Sequence, residues 1–395
     1  MLRRRFGAVS AAAFVALATA AAPASAAAVG SVQGGLAHAQ ISSPAIGEHA
    51  EALVAEMTTV EQAASVVMGH IPTTDAGALR AYMQQGLGGF ILMGANIPAT
   101  DDELQTLTSA LTVDPALPPL VAVDQEGGIV SRLVGDGFPA STVLKSQPVS
   151  DTSSAFSARA ALVARAGITV NFGTVADVTS DPSSFIYGRA LGTDPQTAAE
   201  RVAAATTAQE QIIASTLKHF PGHGAAPGDS HSAVPATAET IDEWRSTDAV
   251  PFVAGIEAGA SLLMFGHLAY TSIDPAPASL SARWHEIARE QLGFDGVIVT
   301  DDLGMLQSSG IPEYADPVTN AVSAVVAGSD LVLMIAGSTP DTAGQIVRGL
   351  ADAVDAGVLP ADRLADAATR VMTLRLQSTS ATTDWAPCPE CEPAD

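Results

Sequence analysis

Apolar residues fall along this chain in short runs that scarcely alternate with polar ones. The runs are "AASVVMG" (63–69), "GGFILMG" (88–94), "PLVAVD" (119–124), "ITVNFG" (168–173), "STLKHF" (215–220), "SLLMFG" (261–266), "GVIVTD" (296–301) and "DLVLMI" (330–335). Runs of this length, apolar at successive positions, are expected of strands buried on both faces. Between them lie helical patterns such as "PQTAAERVAAATTAQEQII" (195–213). Strand followed by helix, repeated, implies a parallel sheet with right-handed crossovers. Eight such units predict an α/β fold, a single closed (β/α)8 TIM-like barrel over residues 46–378. An open doubly wound sheet is the alternative reading.

The ends of the chain read differently. Arg3, Arg4 and Arg5 precede an apolar run from Ala11 to Ala21 and a small-residue step at Ala24-Ser25-Ala26. That order predicts an export signal peptide over 1–26 and a mature protein that is secreted or extracytoplasmic. The start "RRRF" is compatible with a twin-arginine signal as well as an ordinary one. Residues 27–45, rich in Ala, Gly and Ser, predict a flexible leader, and 379–395 predict a disordered tail. The two cysteines, Cys388 and Cys391, both sit in that tail. The fold therefore has no disulfide framework, and the C-x-x-C reads as a local disulfide or two idle thiols.

Charge narrows the partners. The formal net charge is −24, and removing the signal arginines makes it more negative. Nucleic acid and anionic membrane surfaces need basic protein surface, so neither is an expected partner of the mature chain. Nothing in the sequence specifies an oligomer or calls for a cofactor.

On a barrel of this kind chemistry gathers at the carboxyl ends of the strands, and polar residues cluster there. Asp124, Gln125 and Glu126 follow the third run. Asp177 and Arg189 follow the fourth, and Lys218 and His219 end the fifth. His267 follows the sixth, and Asp301 and Asp302 end the seventh. Neither a standard phosphate loop nor a G-x-S-x-G serine elbow is present, which disfavours phosphoryl transfer and serine esterase chemistry. A carboxylate such as Asp301 can act as a nucleophile or stabilise positive charge; Asp301 or Asp302 can equally cap the following helix.

The segment "STLKHFPGHGAAPGDSHSAVP" (215–235) holds Lys218, one of two lysines in the chain, and three of the eight histidines. Strand geometry predicts that either Lys218 or His219 faces the barrel axis. Asp229 lies two residues before His231, within reach of its imidazole in an extended loop. An imidazole so held, with an unperturbed pKa of about 6.5, can give a proton and take one back. A rival grouping is a zinc site from His219, His223, Asp229 and His231.

These residues resemble those of glycoside hydrolase family 3, in its bacterial β-N-acetylglucosaminidase branch. The likeness is carried by "KHFPGHG" and "DSH", and by "VDQEGG" with Arg132 eight residues after Asp124. "GRALG" around Arg189, "PASLS", "VTDDLGM" and "AGSDLVLM" add to it, so that it runs from about 50 to 375. The resemblance implies Asp301 as catalytic nucleophile, His231 as acid/base and Asp229 as its dyad partner. It implies Asp124, Arg132, Arg189, Lys218 and His219 as residues that hold the sugar, with no metal. The partner it implies is a carbohydrate bearing a terminal N-acetylglucosamine, from chitin oligosaccharides or peptidoglycan fragments. Two departures touch finer contacts: Ile129 where the family often has arginine, and "IYGRALG" where it has a "GDRSFG"-like run. A family 3 β-glucosidase, a glycosyl phosphorylase and a sugar-binding protein without turnover are the alternatives.

Overall fold

The computed structural model describes residues 43–378. The expected signal, the leader up to residue 42 and the expected tail with Cys388 and Cys391 lie outside them. The first helix begins at Ser43, so the last three residues of the expected leader are helical.

Eight parallel strands form the barrel. They are β1 (Val67–Gly69), β2 (Gly89–Leu92), β3 (Leu120–Val123), β4 (Val170–Val175), β5 (Ala214–Phe220), β6 (Leu262–Phe265), β7 (Val297–Asp302) and β8 (Leu331–Leu333). Neighbours follow chain order, and β1 pairs with both β2 and β8, which closes the sheet. Each of the eight apolar runs overlaps one of these strands, so the (β/α)8 expectation holds. No helix among the described residues is long and apolar enough to cross a membrane.

The strands alternate after all, but between two apolar environments. Leu120 and Ala122, Leu262 and Met264, Val297 and Val299, and Leu331 and Leu333 join Phe172 and Met68 in a core inside the barrel. Their neighbours Val121, Val123, Leu263 and Phe265 pack outward against the helices. Both faces are buried, so the sequence shows an apolar run where a half-exposed sheet would show alternation.

The first run is longer than its strand. Ala63, Ala64 and Ser65 finish the helix Thr59–Ser65, which a capping box between Thr58 and Glu61 starts. Buried helix and buried strand share the same apolar signature, and periodicity does not separate them over so few residues.

Register matters most at the carboxyl ends. Leu217 pairs with Leu263 and Phe220 with Phe265, which leaves Lys218 and His219 together opposite Met264. This is a bulge, two residues against one, and it breaks the side-to-side alternation of β5. The same irregularity occurs in β4 between Asn171 and Thr174, and in β7, where Thr300 and Asp301 together face Val332. The peptide bonds Lys218–His219 and Phe220–Pro221 are cis.

Beyond the bulge, Phe220 is fully buried and meets four rings. The centroids of Trp244, Phe252, Phe265 and Trp284 lie 6.0, 5.4, 4.7 and 5.7 Å from its own. This cluster anchors the strand end that carries the polar residues. Truncation leaves a cavity among rings with little freedom to collapse. Phe220→Ala is therefore expected to cost about 3–5 kcal/mol, read as a lower midpoint in urea unfolding, and an unchanged midpoint would refute the anchoring.

Candidate active site

The site lies at the carboxyl ends of the strands and is built around buried charge. Glu126, directly after β3, accepts from Arg189 through both carboxylate oxygens at 2.7 and 3.0 Å. The same carboxylate meets Lys218 Nζ at 2.7 Å. Burial alone would raise the Glu126 pKa, but Lys218 and Arg189 outweigh it and hold the carboxyl at about 2. Lys218, also fully enclosed, is disfavoured as a cation by burial, and Asp124 and Glu126 reverse that and raise its pKa. Arg189 is raised likewise, against burial, chiefly by Glu126.

Lys218 Nζ also donates to Asp124 Oδ1 at 2.7 Å. An ammonium has three donors, so one remains for a ligand hydroxyl. The other oxygen of Asp124 is 3.8 Å from Arg132 Nη2, a loose pairing at the partly exposed rim. The Nε of Arg132 is buried without a partner among the described residues. The backbone of Arg132, by contrast, is tightly held. Gln125 Oε1 accepts from the N–H groups of Arg132 and Leu133 at 2.9 Å each, and its Nε2 donates to Asp136 at 2.7 Å. Asp136 in turn takes two hydrogen bonds from the buried Arg159, at 2.7 and 3.1 Å.

The expectation that only one of Lys218 and His219 faces the site is corrected. The bulge aims both there. His219 Nδ1 meets Asp177 Oδ2 at 2.7 Å, which places the proton on Nδ1 and leaves Nε2 to accept from Arg189 at 3.4 Å. Asp177 also accepts from the backbone N–H groups of His219 and His223. Burial opposes its ionisation, and the two histidines nevertheless hold its pKa below the ordinary carboxylate value.

The two acids ending β7 divide their work. Asp302 turns away from the barrel axis and caps the helix Leu303–Ser308, accepting from the N–H groups of Gly304, Ile335 and Ala336 at 2.9, 2.7 and 2.8 Å. Burial pushes it up to about 6 against those three donors. Asp301 stands within electrostatic reach of His219, His267, Lys218 and His223. Burial would raise its pKa, but His219, His267, the Asp302 N–H at 2.8 Å and Lys218 hold it below the ordinary value. It is a carboxylate ready to act as a base or nucleophile. His267, buried and held neutral by burial, braces the strand end by bonding Ser279 and the carbonyl of Asp302.

Asp229 and His231 form their own unit on the loop after β5. His231 Nδ1 lies 2.5 Å from Asp229 Oδ1, and the His231 backbone N–H donates to the same oxygen at 3.0 Å. The pair is open to solvent, with side-chain exposures of 63% and 49%. Burial would raise Asp229, and the bonds from His231 hold it lower. The dyad thus stands outside the buried cluster that gathers Asp124, Arg132, Arg189, Lys218, His219 and Asp301; its electrostatic link to that cluster runs through His223.

The zinc grouping does not assemble. His219 is committed to Asp177, His231 to Asp229, and the described residues contain no group of three or more His, Cys, Asp or Glu side chains able to share an ion. Sequence reading placed Glu126 and Asp177 at strand ends without giving them a task, and it passed over Asp136 and Arg159. The second lysine also serves the site. Lys145 bonds the carbonyl of Tyr187, and Ser141 bonds that of Gly188 at 2.7 Å, so both pin the segment that carries Arg189.

The family model described as the glycosyl hydrolase family 3 N terminal domain matches residues 53–374. A β-hexosaminidase of Pseudomonas aeruginosa (strain LESB58) is 37% identical over 257 residues, 63% of this chain and 75% of that protein. A solved glycoside hydrolase family 3 β-N-acetylglucosaminidase from Paenibacillus sp. superposes with a TM-score of 0.77 at 26% identity, over 84% of this chain and 64% of that one. This chain therefore spans a little under two-thirds of the Paenibacillus protein. A β-N-acetylhexosaminidase from Beutenbergia cavernae gives 0.71 at 28% identity, over 81% of this chain and 99% of that one.

Neutralising Glu126 should leave two buried cations short of a partner. Glu126→Gln is expected to lose about 3–5 kcal/mol of stability at neutral pH. The lowered pKa sets the pH window: the difference from wild type is fully present above the ordinary value of 4.5 and fades as pH falls toward about 2. Urea unfolding of both proteins across that range checks it, and a pH-independent difference would contradict the charge assignment.

Proposed function

The chain belongs to glycoside hydrolase family 3, and from that premise we propose that it is a retaining exo-β-N-acetylglucosaminidase acting outside the cytoplasm. Its substrates are carbohydrates with a terminal N-acetylglucosamine, whether chitin oligosaccharides or peptidoglycan fragments. The observation that carries the reading is the presence of two unlike groups at one end of the barrel, one after β5 and one ending β7. Asp301 is a carboxylate kept ionised beside Lys218 and His219, and His231 is an imidazole kept in one tautomer by Asp229.

The chemistry follows from the atoms. Asp301 attacks the anomeric carbon as the glycosidic bond breaks, giving a glycosyl-aspartate. With Nδ1–H of His231 held by Asp229, Nε2 is the nitrogen that hands a proton to the departing oxygen. The neutral Nε2 then takes a proton from water, which attacks the anomeric carbon and releases Asp301. Asp124, Arg132, Arg189, Lys218 and His219 hold the sugar. The spare donor of Lys218, the loosely paired oxygen of Asp124 and the unpartnered Nε of Arg132 support that role, because each is polar, local and uncommitted.

Paired chromogenic substrates test the proposal. Wild type should cleave the β-N-acetylglucosaminide in preference to the β-glucoside, and Asp301→Ala should cleave neither. Preference for the glucoside would overturn the substrate assignment, and near-normal turnover in folded Asp301→Ala would overturn the nucleophile. Asp229→Ala frees the His231 ring and removes its charge support, so turnover should fall on the order of 10²–10⁴-fold. A change of less than a few-fold in kcat would remove Asp229 from the dyad.

A further inference from the structure

The loop that carries Asp229 and His231 leaves the barrel at Pro221 and returns at the helix Ile241–Ser246. Two acids sit at its ends. Asp248 is 3% exposed and lies against the start of the loop: a Cβ added to Gly222 would fall 2.7 Å from Asp248 Oδ1. Glu239 lies at the other end, two residues past the short strand Ala236–Thr237. The two carboxyl groups are in hydrogen-bonding contact. Yet Asp248 Oδ1 and Glu239 Oε2 are buried with no donor among the described residues; only the second Asp248 oxygen has one, the Thr247 hydroxyl at 3.1 Å. Two acceptors can make a hydrogen bond only if one carries a proton.

We propose that Asp248 and Glu239 share one proton, and that this carboxyl pair is a latch which ties the two ends of the loop together and so positions the Asp229–His231 dyad. The other groups facing the pair are Asp177 and Tyr270 on the Asp248 side and Glu243 and Tyr270 on the Glu239 side. Each is acidic or neutral, so none compensates a second negative charge. Burial and these neighbours raise the pKa of both acids, Asp248 the more strongly. Like charges a hydrogen bond apart do not both ionise in place. As pH rises and the shared proton is lost, partly exposed Glu239 swings toward water and Gly222 is freed from Asp248. The turn itself is held by Trp244 Nε1 on the Pro221 carbonyl and Tyr270 Oη on that of Gly222, at 2.8 Å each, by the Gly222 N–H on the His219 carbonyl at 2.9 Å, and by the His223 N–H on Asp177. Asp248 and Glu239 are positioning residues, and their effect on turnover rests on the acid/base reading of His231.

Hydrogen–deuterium exchange of the full chain tests the latch, with each amide rate in 221–240 divided by its unstructured rate at the same pH. As pH rises from within the ordinary carboxylate range to well above it, protection should fall by about 10-fold or more in wild type. It should stay nearly constant in Asp248→Asn and in Glu239→Gln, where an amide N–H replaces the shared proton permanently. Either variant suffices if the other does not fold. No fall in wild type, or the same fall in a folded amide variant, overturns the latch. With a nitrophenyl glycoside, whose departure needs little acid help, kcat at high pH should decline in wild type and hold in the amide variants, since neutral His231 remains competent as a base. The two readings fail separately. Exchange reports the latch without turnover, whereas undiminished turnover in His231→Ala with wild-type exchange would overturn only the acid/base assignment.

Discussion

The carboxylate of Glu126, enclosed between Lys218 and Arg189, is the contact on which the site depends. Taking three charged groups out of water is costly, and only close mutual pairing makes their burial tolerable. The geometry supplies it, with contacts of 2.7–3.0 Å from two cations to one anion. Because Glu126 follows β3, Arg189 follows β4 and Lys218 ends β5, their pairing ties three neighbouring strand ends together. Asp177 repeats the device one layer out, holding His219 by its ring and backbone and His223 by its backbone. What remains unpaired is one donor on Lys218 and the outer side of Asp124, the groups to which the proposed function assigns the sugar. The cluster is thus a structural clasp, and in the proposed role it would also be a preorganised binding surface, whose buried polar contacts are strong.

Much of this was legible in the sequence because it follows from short-range rules. The eight apolar runs, their spacing and the polar residues at one end of each need nothing beyond local pattern and the rule about barrel ends. Three things were not legible, each for a physical reason. The residues Ala63–Ser65 look like strand because buried helix and buried strand are equally apolar. The orientation of Lys218 and His219 was misjudged because alternation assumes an unbroken strand, and a bulge is invisible in composition. The partnerships of Glu126 and Asp136 were missed because they join residues far apart in sequence. Glu126 and Arg189 are 63 residues apart, and no periodic signal connects such positions.

The pair Asp301-Asp302 shows how structure resolves a degeneracy that sequence leaves open. Both are acids, adjacent, and at the end of the same strand. Three backbone N–H groups claim Asp302 for the start of the next helix and for the segment after β8. Asp301 receives only the N–H of its neighbour, and its other influences are charges from across the site. One carboxylate is thereby consumed in architecture, and the other, left largely unbonded, is the one to which the proposed function assigns the chemistry. His267 links the two by bonding the carbonyl of Asp302, so the helix cap and the reactive acid share one support.

The proposed placing of proton transfer on a histidine changes what the surrounding fold must do. A carboxylic acid that is to donate a proton near neutral pH needs its pKa lifted by about two to three units, and that lift comes from burial. An imidazole titrates near 6.5 without help. An acid/base of this kind needs no enclosure, and the one proposed stands on an open loop with more than half of its side chain in water. The demand shifts from burial to position: the ring must be held in the right tautomer and brought to the right place. Asp229 meets the first demand through a bond within the loop itself. The second falls on whatever fixes the ends of that loop, where the structure concentrates buried groups, with Trp244 and Tyr270 bonding the turn and Asp248 packed beneath Gly222. On the proposed function, a solvent-facing acid/base and a heavily anchored loop base are two sides of one arrangement, in which precision comes from the hinge because it does not come from enclosure.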